Sequence, residues 1–321
     1  VIERSQLFKV HQVIGNPMST VERYSHWNVD ELVILDISTG DAGHDLRRDD
    51  IQQRYEGDTV LDVLREVAKV CFMPLTFGGG IRNIDDIGAR LAAGADKVTI
   101  NTAAIDDPSF VSRAAERFGS QCIVVSIDAR QDRSGAYEVM ADGGKRPAGM
   151  TPADWARRVE ELGAGEIFLN SVDRDGSGMG YDLDLVRSVT GAVTIPVIVC
   201  GGVGQYEHFA PGVLEGGASA ISAANIFHFF ELSYPHAKQA CIDAGVALRP
   251  VGLGSRYLVR EPEYDMEREI ARHGERLRQA RDGDYVAARP ESAGRRHHIR
   301  WCTSCVYPSI SAAPMEFNDA G

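Results

Sequence analysis

The chain has 321 residues, a formal charge of −12 from 34 Lys and Arg against 46 Asp and Glu, and 33 glycines. With 44% apolar and 25% charged residues it can build a full core, which argues against disorder over most of its length. An acidic chain without a long basic run argues against binding to nucleic acid or a membrane surface. With no apolar stretch of ~18 residues and no signal-peptide pattern, it is expected in the cytoplasm.

The chain opens on Val1 rather than methionine, so an upstream segment is expected, holding most of an N-terminal strand that LFKVHQV (7–13) follows. Apolar runs of strand length then recur at Leu32 to Ile37, Pro74 to Phe77, Lys97 to Ile100, Cys122 to Ile127, Glu166 to Leu169, Ile195 to Val199 and Ala218 to Ala223. They are rich in Val and Ile and nearly continuous, as strands buried on both faces are. Amphipathic helical stretches alternate with them at 59–70, 83–94, 108–119 and 151–163. Asp107 before Pro108, and Thr151 before Pro152, read as N-caps with proline at the first helical position. Gly94, Gly119 and Gly163 stand where left-handed helix caps are expected.

Seven strand–helix units plus the N-terminal strand fit a doubly wound sheet or an eight-fold barrel. An internal repeat decides for the barrel. PLTFGGGI (74–81) matches PVIVCGGV (196–203) at an offset of 122, and AGADKVTINTA (93–103) matches GGASAISAANI (216–226) at 123. VDELVILDIS (29–38) matches AGEIFLNSVD (164–173) at 135. The expected fold is an α/β (β/α)8 barrel with two-fold internal repeat over residues 1–247. Residues 248–300 read as a charged helix (264–284) and linker, exposed or docked across the barrel exterior.

Of six cysteines, Cys71, Cys122 and Cys200 lie in apolar runs and read as reduced core thiols of a cytoplasmic protein, while Cys241 stands outside any motif. Cys302 and Cys305 form one C-x-x-C in the 301–321 tail, half of a tetrahedral zinc site; no metal is expected in the barrel.

Glycine-rich turns directly after strands let backbone N–H groups approach a phosphate. FGGGI (77–81) and INTA (100–103) form one such pair, and CGGVG (200–204) and AANI (223–226) the other. The second pair follows strands seven and eight, where barrels bind phosphate. Two seats across one mouth imply a substrate with a phosphate at each end.

Those turns, with DELVILDI, GSQCIVVSIDAR and GAGEIFLNSVDRDGSGMGYD, resemble the cyclase subunit of imidazole glycerol phosphate synthase, the HisF-type barrel of histidine biosynthesis, over residues 7–247. The resemblance implies closure of an imidazole ring from a bis-phosphorylated ribulosyl precursor and ammonia. It implies no cofactor, and a glutaminase subunit docked at the N-terminal face of the barrel. Asp128 matches the family's general acid, a helix-capping role being the alternative. Gly80, Asn101 and Thr102 match one phosphate site, and Asp175, Gly176, Gly202, Ala224 and Asn225 the other, with Asn225 in place of the usual serine. Glu31, Lys97 and Glu166 match charges around the family's ammonia entrance, or form an ionic layer closing the barrel floor.

The chain departs from the family at Asn170 (usually threonine) and Cys200 (usually serine), and the family's second catalytic aspartate falls upstream of Val1. In the loop 38–58, His44, Arg47 and Arg48 either reach over a bound anion or form a solvated charged surface. The tail WCTSCVYPSISAAPMEFNDAG (301–321) resembles the opening of N-acetyl sugar amidotransferases. Three readings follow: a cyclase of histidine biosynthesis, a related barrel passing ammonia to a sugar amidotransferase, and a scaffold that only docks and activates a glutaminase.

Overall fold

The computed structural model describes residues 2–6, 8, 10–37, 59–229 and 232–250, all within one unit spanning Val1–Leu258. The loop carrying His44, Arg47 and Arg48, the helix at 264–284 and the Cys302/Cys305 tail lie outside the described residues. Among the described residues no helix is long and apolar enough to cross a membrane.

The chain opens with an antiparallel hairpin, β1 (Ile2–Gln6) and β2 (Val10–Gly15), followed by α1 (Pro17–His26). Strand–helix units follow: β3 (Leu32–Leu35) and α2 (Val60–Val70), β4 (Leu75–Gly78) and α3 (Ile84–Ala92), then β5 (Lys97–Ile100) with α4 (Thr102–Asp106) and α5 (Ser109–Phe118). β6 (Ile123–Gln131) carries a small antiparallel extension, β7 (Tyr137–Ala141) and β8 (Arg146–Pro147), before α6 (Pro152–Glu161). β9 (Glu166–Ser171) precedes α7 (Leu183–Thr190), β10 (Val197–Cys200) precedes α8 (Phe209–Leu214), and β11 (Ala220–Ile221) precedes α9 (Ile226–Phe229) and α10 (Ser233–Asp243).

Seven parallel strands form one sheet in the order β3-β4-β5-β6-β9-β10-β11, the alternation of a (β/α)8 barrel. Every apolar run forms a strand within two residues of its expected bounds, except that β6 continues to Gln131, where it pairs with β7. β3 and β11 are the two ends of the sheet among the described residues. Residues 10–13 belong to β2 of the separate β1–β2 hairpin.

The local signals act as chemistry requires. Thr151 caps α6 by accepting from the Asp154 N–H with Pro152 behind it, and Asn83 and Thr59 form reciprocal capping boxes with Asp86 and Asp62. At α5 the expected register is off by one. Pro108 is itself the flanking residue, and Asp107 instead accepts from the backbone and hydroxyl of Ser109. Gly94, Gly119 and Gly163 all have positive φ. Cys71, Cys122 and Cys200 are half-buried, each packed against the edge of a core cluster rather than enclosed in it; Cys241 is the buried one.

Alternate residues of each strand face opposite ways. The outward set packs under the helices: Ile123, Val125 and Ile127 of β6, Ile167 and Leu169 of β9, Val197 and Val199 of β10 share one cluster with Val111, Trp155 and Leu185. The other parity lines the barrel interior, where Val124, Phe168 and Ile198 form a small apolar layer of their own. Truncating fully buried Ile167 to alanine should cost about 2–5 kcal/mol. A lower urea midpoint at unchanged slope is the expected result.

Candidate active site

Asp128 sits on the inward parity near the C-terminal end of β6, only 8% exposed, opposite Asn170 of β9, which in turn lies opposite Cys200 of β10. The Asn101 side chain, just beyond β5, donates from Nδ2 to Asp128 Oδ2 at 2.7 Å. Burial pushes the Asp128 carboxyl up to about 7; hydrogen bonds from Asn101 and Ser126 pull against it, and the nearby Asp175 carboxylate adds to the rise. A carboxyl poised near neutrality can both give and take a proton, as general acid–base chemistry requires. The helix-capping alternative does not apply, because Asp128 lies inside β6.

Two glycine turns flank this carboxyl. Gly79 and Gly80 follow β4 with φ of +90° and +63°, and Gly201 and Gly202 follow β10 with φ of +99° and +102°, so the sequence repeat is also a conformational one. A side chain at Gly79 would strike the Asp36 backbone carbonyl at 2.0 Å, which restricts that position to glycine. Both turns abut strand ends at the barrel mouth, where backbone N–H groups can meet an anion.

The expected binding residues divide into two groups. Gly80, Asn101, Thr102, Asp175 and Ala224 line a single cleft with Asp128, Asn170 and Cys200. Gly176, Gly202 and Asn225 do not line it; the Gly202 carbonyl instead accepts the Gly180 N–H at 2.7 Å. Thr102 already uses its hydroxyl, which accepts the Asp142 N–H at 3.0 Å, and Asp175 accepts the Phe8 N–H at 3.3 Å. The cleft, about 2070 Å³, also reaches Tyr24 of α1 and Lys238 of α10. Cys200 faces this space as a thiol: burial pushes its pKa up to about 12, with the Asp175 charge adding to the shift, so it is no nucleophile at neutral pH.

At the opposite end of the strands the three charges come together. Lys97 Nζ lies 2.7 Å from Glu166 Oε1 and 3.1 Å from Glu31 Oε1, and the Thr76 hydroxyl donates to Glu31 at 3.0 Å. Burial disfavours the ammonium, but the hydrogen bond Lys97 donates to Glu166 and the Glu31 charge outweigh it and hold Lys97 above its ordinary range. Glu166 Oε2 is buried with no hydrogen-bond partner among the described residues. Glu166 and Asn170 are four residues apart on β9, about 13 Å at strand rise. The apolar layer of Val124, Phe168 and Ile198 lies between them.

Sequence reasoning missed Ser126, which assists Asp128, and Arg90, which holds the Gly79 carbonyl from α3. Ser126 shares the inward parity of Asp128 and was legible from spacing alone. Arg90 carried a different signal, a charge on the buried stripe of an amphipathic helix.

Folded Asp128 holds its proton up to about 7, whereas an ordinary aspartate releases it near 3.8. The folded state therefore binds more protons across that window, and stability falls as pH rises from about 4 to about 7. Asp128→Asn removes this dependence. Chemical unfolding from about pH 4 to about pH 8 should show the variant gaining on the parent until about 7 and running level above it; parallel curves throughout would sink the assignment.

A family model described as Histidine biosynthesis protein matches residues 1–233.

Proposed function

The chain belongs to the histidine biosynthesis protein family, and from that premise we propose that it closes an imidazole ring on a bis-phosphorylated ribulosyl precursor with ammonia. The observation that carries this reading is the buried Asp128 carboxyl, poised near neutrality between two glycine turns of matching geometry. The Gly79–Gly80 turn seats one phosphate with Asn101 and Thr102, and the other lies across the cleft, on the side that Asp175 and Ala224 line. Asp128 then protonates the precursor's carbonyl oxygen as ammonia attacks its carbon, and the oxygen leaves as water; the nitrogen so introduced closes the ring on the precursor's amidine carbon, and the aminoimidazole carboxamide part leaves as its amine. Asn101 holds the carboxyl in place for that transfer.

Ammonia comes from a glutaminase docked at the N-terminal face, past Glu31, Lys97 and Glu166. The apolar layer above those charges favours neutral ammonia over ammonium, because an ion would lose its hydration there. A second reading has a specific observation behind it. Two departures from the family pattern stand in one row with Asp128: Asn170 is its register partner on β9, and Cys200 is the partner of Asn170 on β10. That placement suits a barrel whose ammonia is used in sugar amidation, with an amidotransferase as partner.

Purified protein given the bis-phosphorylated precursor and an ammonium salt should release imidazole glycerol phosphate. Its kcat should decline above about pH 7 as Asp128 loses its proton. Asp128→Asn should lower kcat by roughly 10²–10⁴-fold. Absence of turnover in the intact protein would rule out the cyclase reading and leave the amidation one standing.

A further inference from the structure

Arg90 has no part in the chemistry above, yet it is only 8% exposed. Its Nη1 donates to the Asp86 carbonyl at 3.1 Å, and its Nη2 to the Gly79 carbonyl at 2.9 Å. Its Nε is buried without a hydrogen-bond partner among the described residues. Both acceptors are neutral carbonyls, and a buried guanidinium so weakly compensated is costly unless an anion comes near it.

The peptide plane connects this cation to the turn. In a trans peptide the carbonyl and the following N–H point in opposite directions. With the Gly79 carbonyl held toward α3 by Arg90, the Gly80 N–H points away from the helix, toward the cleft that both glycines line. That N–H has no hydrogen-bond partner among the described residues. An ideal side-chain carbon on Gly80 would lie 3.5 Å from Arg90 Nη2 and 3.7 Å from Asp36 Oδ2, so the guanidinium stands close to the open donor and offsets a carboxylate at the same turn.

The matching turn is built otherwise. The repeat aligns Arg90 with Gly212 or Val213, neither of them charged, and the contact there falls one residue later in the turn, where the Gly202 carbonyl accepts the neutral Gly180 N–H. We infer that Arg90 is the positioning residue of the Gly78–Ile81 phosphate seat, orienting its open N–H and making it the stronger anion site of the two. This rests on the reading of Gly80 as a phosphate donor.

The test is a titration of the full chain with inorganic phosphate, followed through the backbone amide resonances of each turn. Those of Gly80 and Ile81 should shift to saturation. In Arg90→Met their midpoint should rise about ten-fold, the loss of one charge-assisted contact, while Gly202 and Val203 respond as before. An unchanged midpoint in the folded variant would overturn the role of Arg90 and leave the seat intact. If Gly80 and Ile81 never respond in the parent, the seat itself is wrong and the inference falls with it. Should Arg90→Met fail to fold, Arg90→Gln, which keeps amide donors without the charge, is titrated against the same two outcomes.

Discussion

The chemistry of this protein depends on the two-residue period of a parallel strand. One parity must bury itself under helices, because an isolated sheet face exposes too much apolar surface. In β6 that parity is Ile123, Val125, Ile127 and Ala129, all fully buried. The other parity is then committed to the interior, and Val124, Ser126 and Asp128 follow in ascending order. In β9 the same rule stacks Glu166, Phe168 and Asn170, and the β6–β9 register sets each beside its counterpart. A slip of one residue would move Asp128 under α6 and an isoleucine into the mouth, so register and function are specified together.

The layers that result differ in kind. Charges gather at the strand beginnings, where Lys97 bridges Glu31 and Glu166. Apolar side chains fill the middle, and hydrogen-bonding groups stand at the C-terminal ends. The burial that secures the barrel is also what raises the Asp128 carboxyl toward neutrality, since the charged form loses its hydration there. Fold stability and acid–base competence thus draw on the same desolvation.

The sheet was legible because seven continuous apolar runs admit few other arrangements. The glycine turns were legible because they repeat in phase with the strands. What escaped depends on contacts between distant segments. The β7–β8 extension hides in YEVMADGGKRP, where a two-glycine turn is easily taken for loop, although Asp142, Gly143 and Gly144 all adopt positive φ. Cys71 caps the C-terminal end of α2 and Cys122 directly precedes β6, both at element ends where the run is only half-buried. The α5 cap moved by one residue because Asp107 found two donors on Ser109. Gly176, Gly202 and Asn225 were placed by resemblance to the family's second phosphate site, but the Gly180–Gly202 contact turns that side of the mouth to its own backbone.

Under the proposed function a bis-phosphate must enter against the field of a chain of charge −12 and against the carboxylate of Asp175 lining the same cleft. Three devices counter both. Backbone N–H groups at glycine turns supply partial positive charge without adding a titratable group. Arg90 supplies a full charge from behind the turn, where solvent screens it little. The raised pKa of Asp128 keeps one carboxyl neutral at the moment an anion arrives. The third device couples to the others, because a phosphate close by would itself disfavour ionisation of Asp128. Substrate binding in this reading therefore holds the acid in its protonated form, the form from which ring closure begins.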